Sequence, residues 1–459
     1  MHDVDLELDN LAESVFTMKK LDLLVVGAGS AGCLTSFTAA KAGLKVGLLD
    51  CKSEGKIGDK VCGDAIGGHH FKRLEISAPS KGLDFDSEIK GIKVISPDQS
   101  IRFKIEGPGV AGYIIDRFRF GQRLLKSAID VGTEFQDSML VTEPLTEQGY
   151  VKGVIAKDLK SGQKEEYRAK VTVDATGTAA VLRSRLPEGF DIEREISKRD
   201  LMACYREIRG NVDLEEGYCQ IYLNQTVSPG GYFWVFPRSG GTVNVGLGIQ
   251  ASIKDSHPKT QLYKHVLQMT LLKDSKLLNG GGGYVPTRRP LDCFVENGLL
   301  IVGDAACMVN PIHGGGIGPS MFSGKLAGET SSDAITRDDV SRKGLWQYNI
   351  DYMKGYGAKQ AGLDIFRIFI QEITNDELNY GMKNKLVKES DILRASMDGD
   401  LKLSITDKAE RVFRNIRRLE FLIKLREVSK KMRRMKKHFL NYPSIEQFPE
   451  WRAQLKKLY

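Results

Sequence analysis

The sequence predicts an α/β protein in which a parallel-sheet domain is interleaved with an antiparallel-sheet domain and followed by a helical C-terminal region. Three observations carry this. Near the start, two short apolar runs flank a stretch of helical spacing. Over about 75–112 and again over about 200–290, apolar and polar residues alternate in several short segments. Beyond about residue 320 the pattern is helical to the end.

The elements follow in order. The opening "MHDVDLELDNLAESVFTMKK" is acidic and lacks a greasy core followed by a small-residue cleavage site, so it reads as an extension over 1–19 and not as a secretory signal. Leu21–Val26 is a buried strand running into glycines. "SAGCLTSFTAAKAG" has helical spacing and stops at Gly43, and "LKVGLLD" is a second buried strand ending at Asp50. Together they make a βαβ unit, which implies a parallel sheet. "IKGIKVIS" and "IRFKI" alternate, a helix is expected around Ile115–Val131, and "AKVTVDATG" is a third buried strand. Alternation returns in "GYCQIYL", "GYFWVFP" and "TVNVGLGI", and "GLLIVGDAA" resumes the parallel style. The expected division is therefore discontinuous. One domain takes 20–75, 110–190 and 290–335, the antiparallel domain 76–109 and 191–289, and the helical region 336–459.

Composition bounds the function classes. With 459 residues, 41% hydrophobic and 27% charged, the chain has ample material for a core. No apolar run approaches the ~20 residues of a membrane-spanning helix. Seven cysteines without a CxxC pair point away from a disulfide framework or zinc site and toward a reducing cytoplasm. The net charge of +8 is concentrated. Residues 408–437 hold 13 Lys and Arg against 3 Glu, which leaves the rest slightly acidic. Arguments about acidic partners belong to that segment.

"LLVVGAGSAG" places Gly27, Gly29 and Gly32 in G-x-G-x-x-G between a strand and a helix. This is a Rossmann-like loop. Gly27 permits the turn, Gly29 admits a pyrophosphate, and Gly32 lets helix and strand approach. The helix start at Ser30 and Ala31 offers unpaired N–H groups to phosphate. Asp50 closes the next strand, where a carboxylate can accept from ribose hydroxyls, with Cys51 beside it. A second glycine loop, "GDAACMVNPIHGGGIGPSMFSG", argues for a longer ligand, FAD in preference to NAD. There Asp304 meets the ribityl chain, and Gly315, Gly316 and Ile317 present backbone N–H groups to the isoalloxazine edge.

The motifs "DATG" at Asp174–Gly177, "GDAA" at Asp304 and "IIDRFRF" around Arg117 resemble the FAD enzymes of the p-hydroxybenzoate hydroxylase group. "KVCGDAIGGHH" and "PGGYFWVFP", which fits P-x-x-Y-x-W-x-F-P, narrow the resemblance to the geranylgeranyl reductase family, particularly its archaeal members. The resemblance covers roughly residues 20–330. Carried over, it puts FAD contacts on the first glycine loop, Asp50, Cys62, Gly63, Ala65, Arg117, Val141, Asp304, Gly316 and Ile317.

In a strand, Tyr232, Trp234 and Phe236 share one face and Phe233 and Val235 the other. Three rings on a face also describe ordinary core packing. Beside a flavin they suit a cavity for a polyprenyl chain, which is what the resemblance implies. Cys62 is a small packing group or a proton relay. Asp64 is the other catalytic candidate, and His69-His70 are neighbouring loop polar groups that complete no metal pattern. Arg288 and Arg289 follow a glycine loop and suit a diphosphate or phospholipid head group, although a solvated turn or a flavin-pyrophosphate contact fits as well.

The implied activity is saturation of C=C bonds in geranylgeranyl chains, of geranylgeranyl diphosphate or of archaeal ether-lipid precursors. It would proceed by hydride transfer from FADH2 N5 plus protonation, with electrons from NADPH or a ferredoxin. Alternatives are a monooxygenase or halogenase of the same fold, or a prenyl-lipid carrier that keeps FAD structurally. The basic tail puts Val412, Ile416, Leu419 and Ile423 on one helical face. That face either docks on the body or rests peripherally on the inner face of the cell membrane. Nucleic acid is not expected, because no recognised module or aromatic interleaving accompanies the charge.

Overall fold

The structure, a computed structural model, describes residues 19–107, 109–398 and 419–459. Its first sheet is organised by the βαβ unit. Lys19–Val26 lies between Val46–Leu49 and Lys164–Asp174, all parallel. Leu23, Leu24, Val25, Val46, Leu48, Val171 and Val173 are fully buried, as continuous apolar runs in a two-face-covered sheet must be. Glu134–Gln136 extends one side and Leu299–Ile301, then Val295–Glu296, the other, while Tyr150–Asp158 and Met139–Glu147 add an antiparallel ribbon. The helix Ser30–Lys41 ends before Gly43 at φ +91°, as its sequence predicts.

The second sheet has seven strands, ordered Lys276–Val285, Met202–Gly210, Thr242–Gln250, Phe233–Arg238, Tyr218–Tyr222, Gly91–Ile95 and Arg102–Glu106. Neighbours are antiparallel except Tyr218–Tyr222 and Gly91–Ile95. Strict alternation gives it two distinct faces. Phe233, Val235, Val245 and Leu247 pack with Leu262, Val266 and Leu272. Trp234 and Phe236 turn the other way, onto Ile89, Ile114 and Cys219.

A third, three-stranded sheet of Ala65–Gly67, Gly112–Ile115 and Phe85–Ile89 differs from expectation. Phe85–Ile89 was expected to lie with the antiparallel domain, yet it pairs with Gly112–Ile115. Period-two alternation identifies a strand but not its partner.

The C-terminal region is helical, with Ile317–Thr336, Ala358–Glu372, Leu419–Leu440 and Phe448–Leu455 its chief members. Leu419–Leu440 lies along Ala358–Glu372 and buries Phe421, Leu425, Met432, Met435 and Phe439. Val412, Ile416 and the Leu419 side chain lie outside the described residues, and Ile423 is exposed. Among the described residues the apolar face of this basic helix is turned inward, and Ile423 does not belong to it. Among the described residues, no helix is long and apolar enough to cross a membrane.

Candidate functional site

Two glycine loops meet at the ends of two packed helices. In the first loop, Gly27 has φ +104°, a backbone that glycine alone adopts freely. A Cβ on Gly32 would overlap the Gly27 carbonyl, so the close approach requires glycine there. Gly29 caps the Ser30–Lys41 helix without a side-chain cap, and a Cβ at Gly29 would meet no atom within 4 Å. The backbone of the loop is thus open to close approach at a positive helix end. Asp50 Oδ2 accepts from Ala28 N at 2.7 Å and Oδ1 from Lys52 N at 2.8 Å, which holds the carboxylate beside the loop.

Arg117 is 9% exposed. Its Nη2 donates to Ser30 Oγ at 3.0 Å, and its buried Nε has no partner among the described residues. An orphaned guanidinium donor beside an uncapped helix start is what an anionic pyrophosphate would satisfy. Cys51 is exposed next to Asp50. Val141 is buried in the main core.

The second loop begins at Gly303, φ +61°, whose Cβ would lie 3.3 Å from that of Ala31. The two glycine loops thereby share a wall. Asp304 faces Lys60 at 3.7 Å, and a Cβ at Gly316 would sit 3.2 Å from Asp304 Oδ1. Asn310 Oδ1 accepts from Ile312 N and His313 N, which shapes the turn. Gly316 leaves the Ile317–Thr336 helix without a side-chain cap, with Gly315 just before it. These residues fit FAD: one uncapped helix start for each end of the ligand, a carboxylate beside each loop, and a buried donor lacking an acceptor.

The third component is the Cys62–Gly63–Asp64 segment, with Ala65 following in a strand. A Cβ at Gly63 would lie 3.4 Å from the Phe236 ring and 4.0 Å from Trp234 Nε1. The ring face therefore rests directly on this loop. Tyr232, Trp234 and Phe236 follow one another at centroid separations of 6.0 and 6.1 Å. The Tyr232 hydroxyl donates to the His313 carbonyl at 2.7 Å and so ties the ring face to the second glycine loop. Trp234 and Phe236 are 8% and 9% exposed, and Tyr232 is partly buried.

Asn244 joins these parts. Its Oδ1 accepts from Trp234 Nε1 at 3.0 Å, and its Nδ2 donates to the Cys62 carbonyl and to Asp64 Oδ2, each at 2.8 Å. Arg206 Nε also donates to the Cys62 carbonyl, and Arg238 Nη1 reaches Asp64 Oδ2 at 3.2 Å. Asp64 is 2% exposed, sits at φ 63°, and its Oδ1 has no partner among the described residues. Burial pushes its carboxyl from 3.8 up to about 6, against the opposing pull of Arg206 and Arg238. Burial, then the charge of Asp64, raises the Cys62 thiol as well, so it stays protonated. Burial likewise pushes the Tyr232 hydroxyl up.

Several sequence expectations meet a different arrangement. Arg288 is 5% exposed, and its guanidinium grips Glu193 at 2.6 and 3.1 Å with Asp200 at 3.8 Å. It is an internal ion pair, not a fork held out to a head group. Arg289 donates to the Pro290 carbonyl and sits over the Tyr459 ring. His70 packs on Gly318 and bonds Tyr356 through Nδ1 at 2.9 Å. Burial takes it down to about 3. Among the described residues, no group of three His, Cys, Asp or Glu is disposed to hold a metal ion. Asn244, Arg206 and Arg238 were not anticipated. A polar residue at an otherwise apolar inward position of "TVNVGLGI" was the available signal for Asn244.

Comparison with known proteins gives the lineage. Residues 200–285 match the family described as geranylgeranyl reductase catalytic domain, and residues 22–220 that described as glucose inhibited division protein A. A digeranylgeranylglycerophospholipid reductase of Sulfolobus acidocaldarius is 41% identical over 442 residues, covering 95% of this chain and 96% of its own. The chain belongs to the geranylgeranyl reductase family. It is an FAD-dependent oxidoreductase. A second relative in this family, from Methanoculleus marisnigri, is 33% identical over 72% of this chain and 81% of its own.

Two solved structures share the fold of this reductase family member. A geranylgeranyl bacteriochlorophyll reductase-like protein of Thermoplasma acidophilum has a TM-score of 0.76 at 22% identity, covering 90% of this chain and all of its own. A flavin-dependent brominase has a TM-score of 0.65 at 19%, covering 87% of this chain and 98% of its own.

Proposed function

We propose that this geranylgeranyl reductase family member saturates C=C bonds in the prenyl chains of an archaeal glycerophospholipid precursor, or of geranylgeranyl diphosphate. One observation carries the reading: the Tyr232–Trp234–Phe236 face rests on the Cys62–Asp64 loop, which adjoins the FAD site. Gly27, Gly29, Asp50, Arg117, Asp304 and Gly316 would hold FAD, which when reduced would supply an electron pair as hydride to one alkene carbon. An isolated trisubstituted alkene lacks a conjugated carbonyl, so a proton must reach the other carbon in step with that transfer.

The chain's own residues meet that need in three ways. The rings exclude water and stabilise positive charge developing on the alkene, by ~0.5–2 kcal/mol per desolvated ring. Asp64 holds a proton at Oδ1, its unpartnered oxygen, while Asn244 and Arg238 fix Oδ2. Cys62, a protonated thiol in the same loop, is the second candidate donor. The reduced bond would then carry two new hydrogens, with NADPH or a ferredoxin as the expected source of the electrons.

The test is anaerobic incubation of dithionite-reduced protein with each lipid type, followed by mass spectrometry. A gain of two hydrogens per reduced bond supports the reading, and the preferred lipid identifies the substrate. Unchanged lipid beside fully reduced flavin would favour a carrier. Oxygenated or halogenated product in air would favour the alternative chemistry of the fold.

A further inference from the structure

The strand Lys276–Val285 forms an edge of the second sheet, and among the described residues no strand lies beside its outer side. Edge strands are commonly blunted by charge or proline. This one reads "KLLNGGGGYV", and Leu277, Leu278 and Tyr284 are 51%, 60% and 59% exposed. Of thirteen large hydrophobic side chains exposed among the described residues, five lie on or beside this strand. Val61 is on the sheet face that carries Trp234, and Leu277, Tyr284 and Tyr263 are on the opposite face, so that they meet only at the edge. Val61 is the fourth, 2.6 Å from where a Cβ on Gly281 would stand. Tyr263 is the fifth, and its hydroxyl donates to Glu207, the strand partner of Gly280. Single exposed apolar residues are ordinary, but a cluster marks an interaction surface.

The patch runs into the candidate site. Val61 immediately precedes Cys62. Across the sheet, Gly281 pairs with Arg206, Arg206 with Gly246, and Gly246 with Trp234. The adjacent row, Gly283, Cys204 and Gly248, ends where Gly248 N donates to the Tyr232 carbonyl. The exposed edge and the ring face are thus the two ends of the same sheet rows.

Charge and backbone decide the occupant. Lys273 and Lys276 are exposed beside the leucines, with Asp274 the one acid between them. Apolar side chains next to exposed lysines match an anionic bilayer surface. Pairing with a second copy is disfavoured by the register shift between Ile208 and Arg209, which makes Leu278 the extra residue of a bulge. A bulge twists an edge out of the flat geometry that edge-to-edge pairing needs.

We propose that Leu277, Leu278, Tyr284 and Val61 dock this protein on an anionic lipid bilayer, so that a prenyl chain enters over Gly283, where a Cβ would meet no described atom within 4 Å, toward Tyr232 and Trp234. The inference rests on the reading that the substrate is a prenyl lipid. It moves the membrane contact from the basic C-terminal helix to the opposite kind of element, a glycine-rich strand.

The test is flotation of the flavin-loaded chain with vesicles of phosphatidylcholine and phosphatidylglycerol. Leu277→Glu/Leu278→Glu, and independently Tyr284→Glu, should weaken vesicle association about tenfold or more, with flavin absorbance and thermal transition retained. Ile423→Glu, a matched change on the basic helix, should alter it by less than about twofold. Wild-type flotation by the edge variants, or release by Ile423→Glu, overturns the proposal. So does a wild-type dimer that the leucine variants dissociate, since the edge would then belong to a second copy. Lipid that stays unreduced in detergent, beside vesicle binding that still depends on Leu277 and Leu278, would remove the reductase reading and leave the docking surface standing.

Discussion

If Asp64 delivers the proton, the rate of alkene reduction should follow the protonation of one buried carboxyl. Its value of about 6, against 3.8 for an ordinary aspartate, fixes the profile. At about pH 5 some ~90% of Asp64 is protonated, and at about pH 7.5 only ~3%, so a step needing the acid slows about thirtyfold over that interval. An unshifted carboxyl would already be ~6% protonated at about pH 5, and its break would lie far lower. The sign is fixed by burial: the raised value makes the competent form dominate below about 6 and fade above it. The assay is anaerobic single-turnover reoxidation of the reduced flavin by a prenyl substrate, followed by absorbance across this range. Asp64→Asn carries no transferable proton, and it should lose the break together with ~10²–10⁴ of the rate. A wild-type rate flat through pH 6, or an Asp64→Asn enzyme that keeps both rate and break, would refute the assignment. A break that disappears instead in Cys62→Ser would transfer the role to the thiol.

Three further outcomes follow from the same geometry. A Cβ on Gly246 would lie 2.6 Å from both Trp234 Cζ2 and Arg206 Cβ. Gly246→Ala should therefore displace the ring at a cost of ~1–3 kcal/mol, lowering kcat/KM for prenyl substrates in steady-state assays while flavin content stays constant. Asn244→Leu strands the Trp234 N–H and costs about 1–3 kcal/mol in denaturant unfolding. Because the Asn244 hydrogen bond lowers the Asp64 value, the rate break should also move to higher pH. Arg288→Ala unpairs Glu193. Since a third of the Glu193 side chain remains in water, the cost should be about 2 kcal/mol, below the ~3–5 of a fully buried pair. KM for the lipid should not change, because that guanidinium is already engaged.

How much was legible in the sequence varied with the kind of signal. The first βαβ unit was readable from continuous apolar runs ending in G-x-G-x-x-G, because a parallel strand covered on both faces tolerates little else. The division of faces at Tyr232–Phe236 was readable too, since period two fixes it. Pairing partners were not, and so Phe85–Ile89 falls in a small third sheet. The Arg288 expectation rested on local context alone, and local sequence does not disclose an acid 95 positions away at Glu193. The basic C-terminal segment gave its charge plainly but not its inward face. That face runs through Phe421, Leu425, Met432 and Met435, and lysines crowd both sides of it. Asn244 and Arg238 matter because they converge on Asp64 from a different part of the chain, a meeting that only tertiary structure creates.

The most direct measurement of the central claim is diffraction from flavin-loaded protein bound to an unsaturated prenyl lipid. The account predicts an isoprene unit in van der Waals contact with Trp234 and Gly63, its double bond between the ring face and the flavin. Density for the chain elsewhere, with Tyr232 and Trp234 closed against Ile114 and Cys219 and no room beside Gly63, would contradict it.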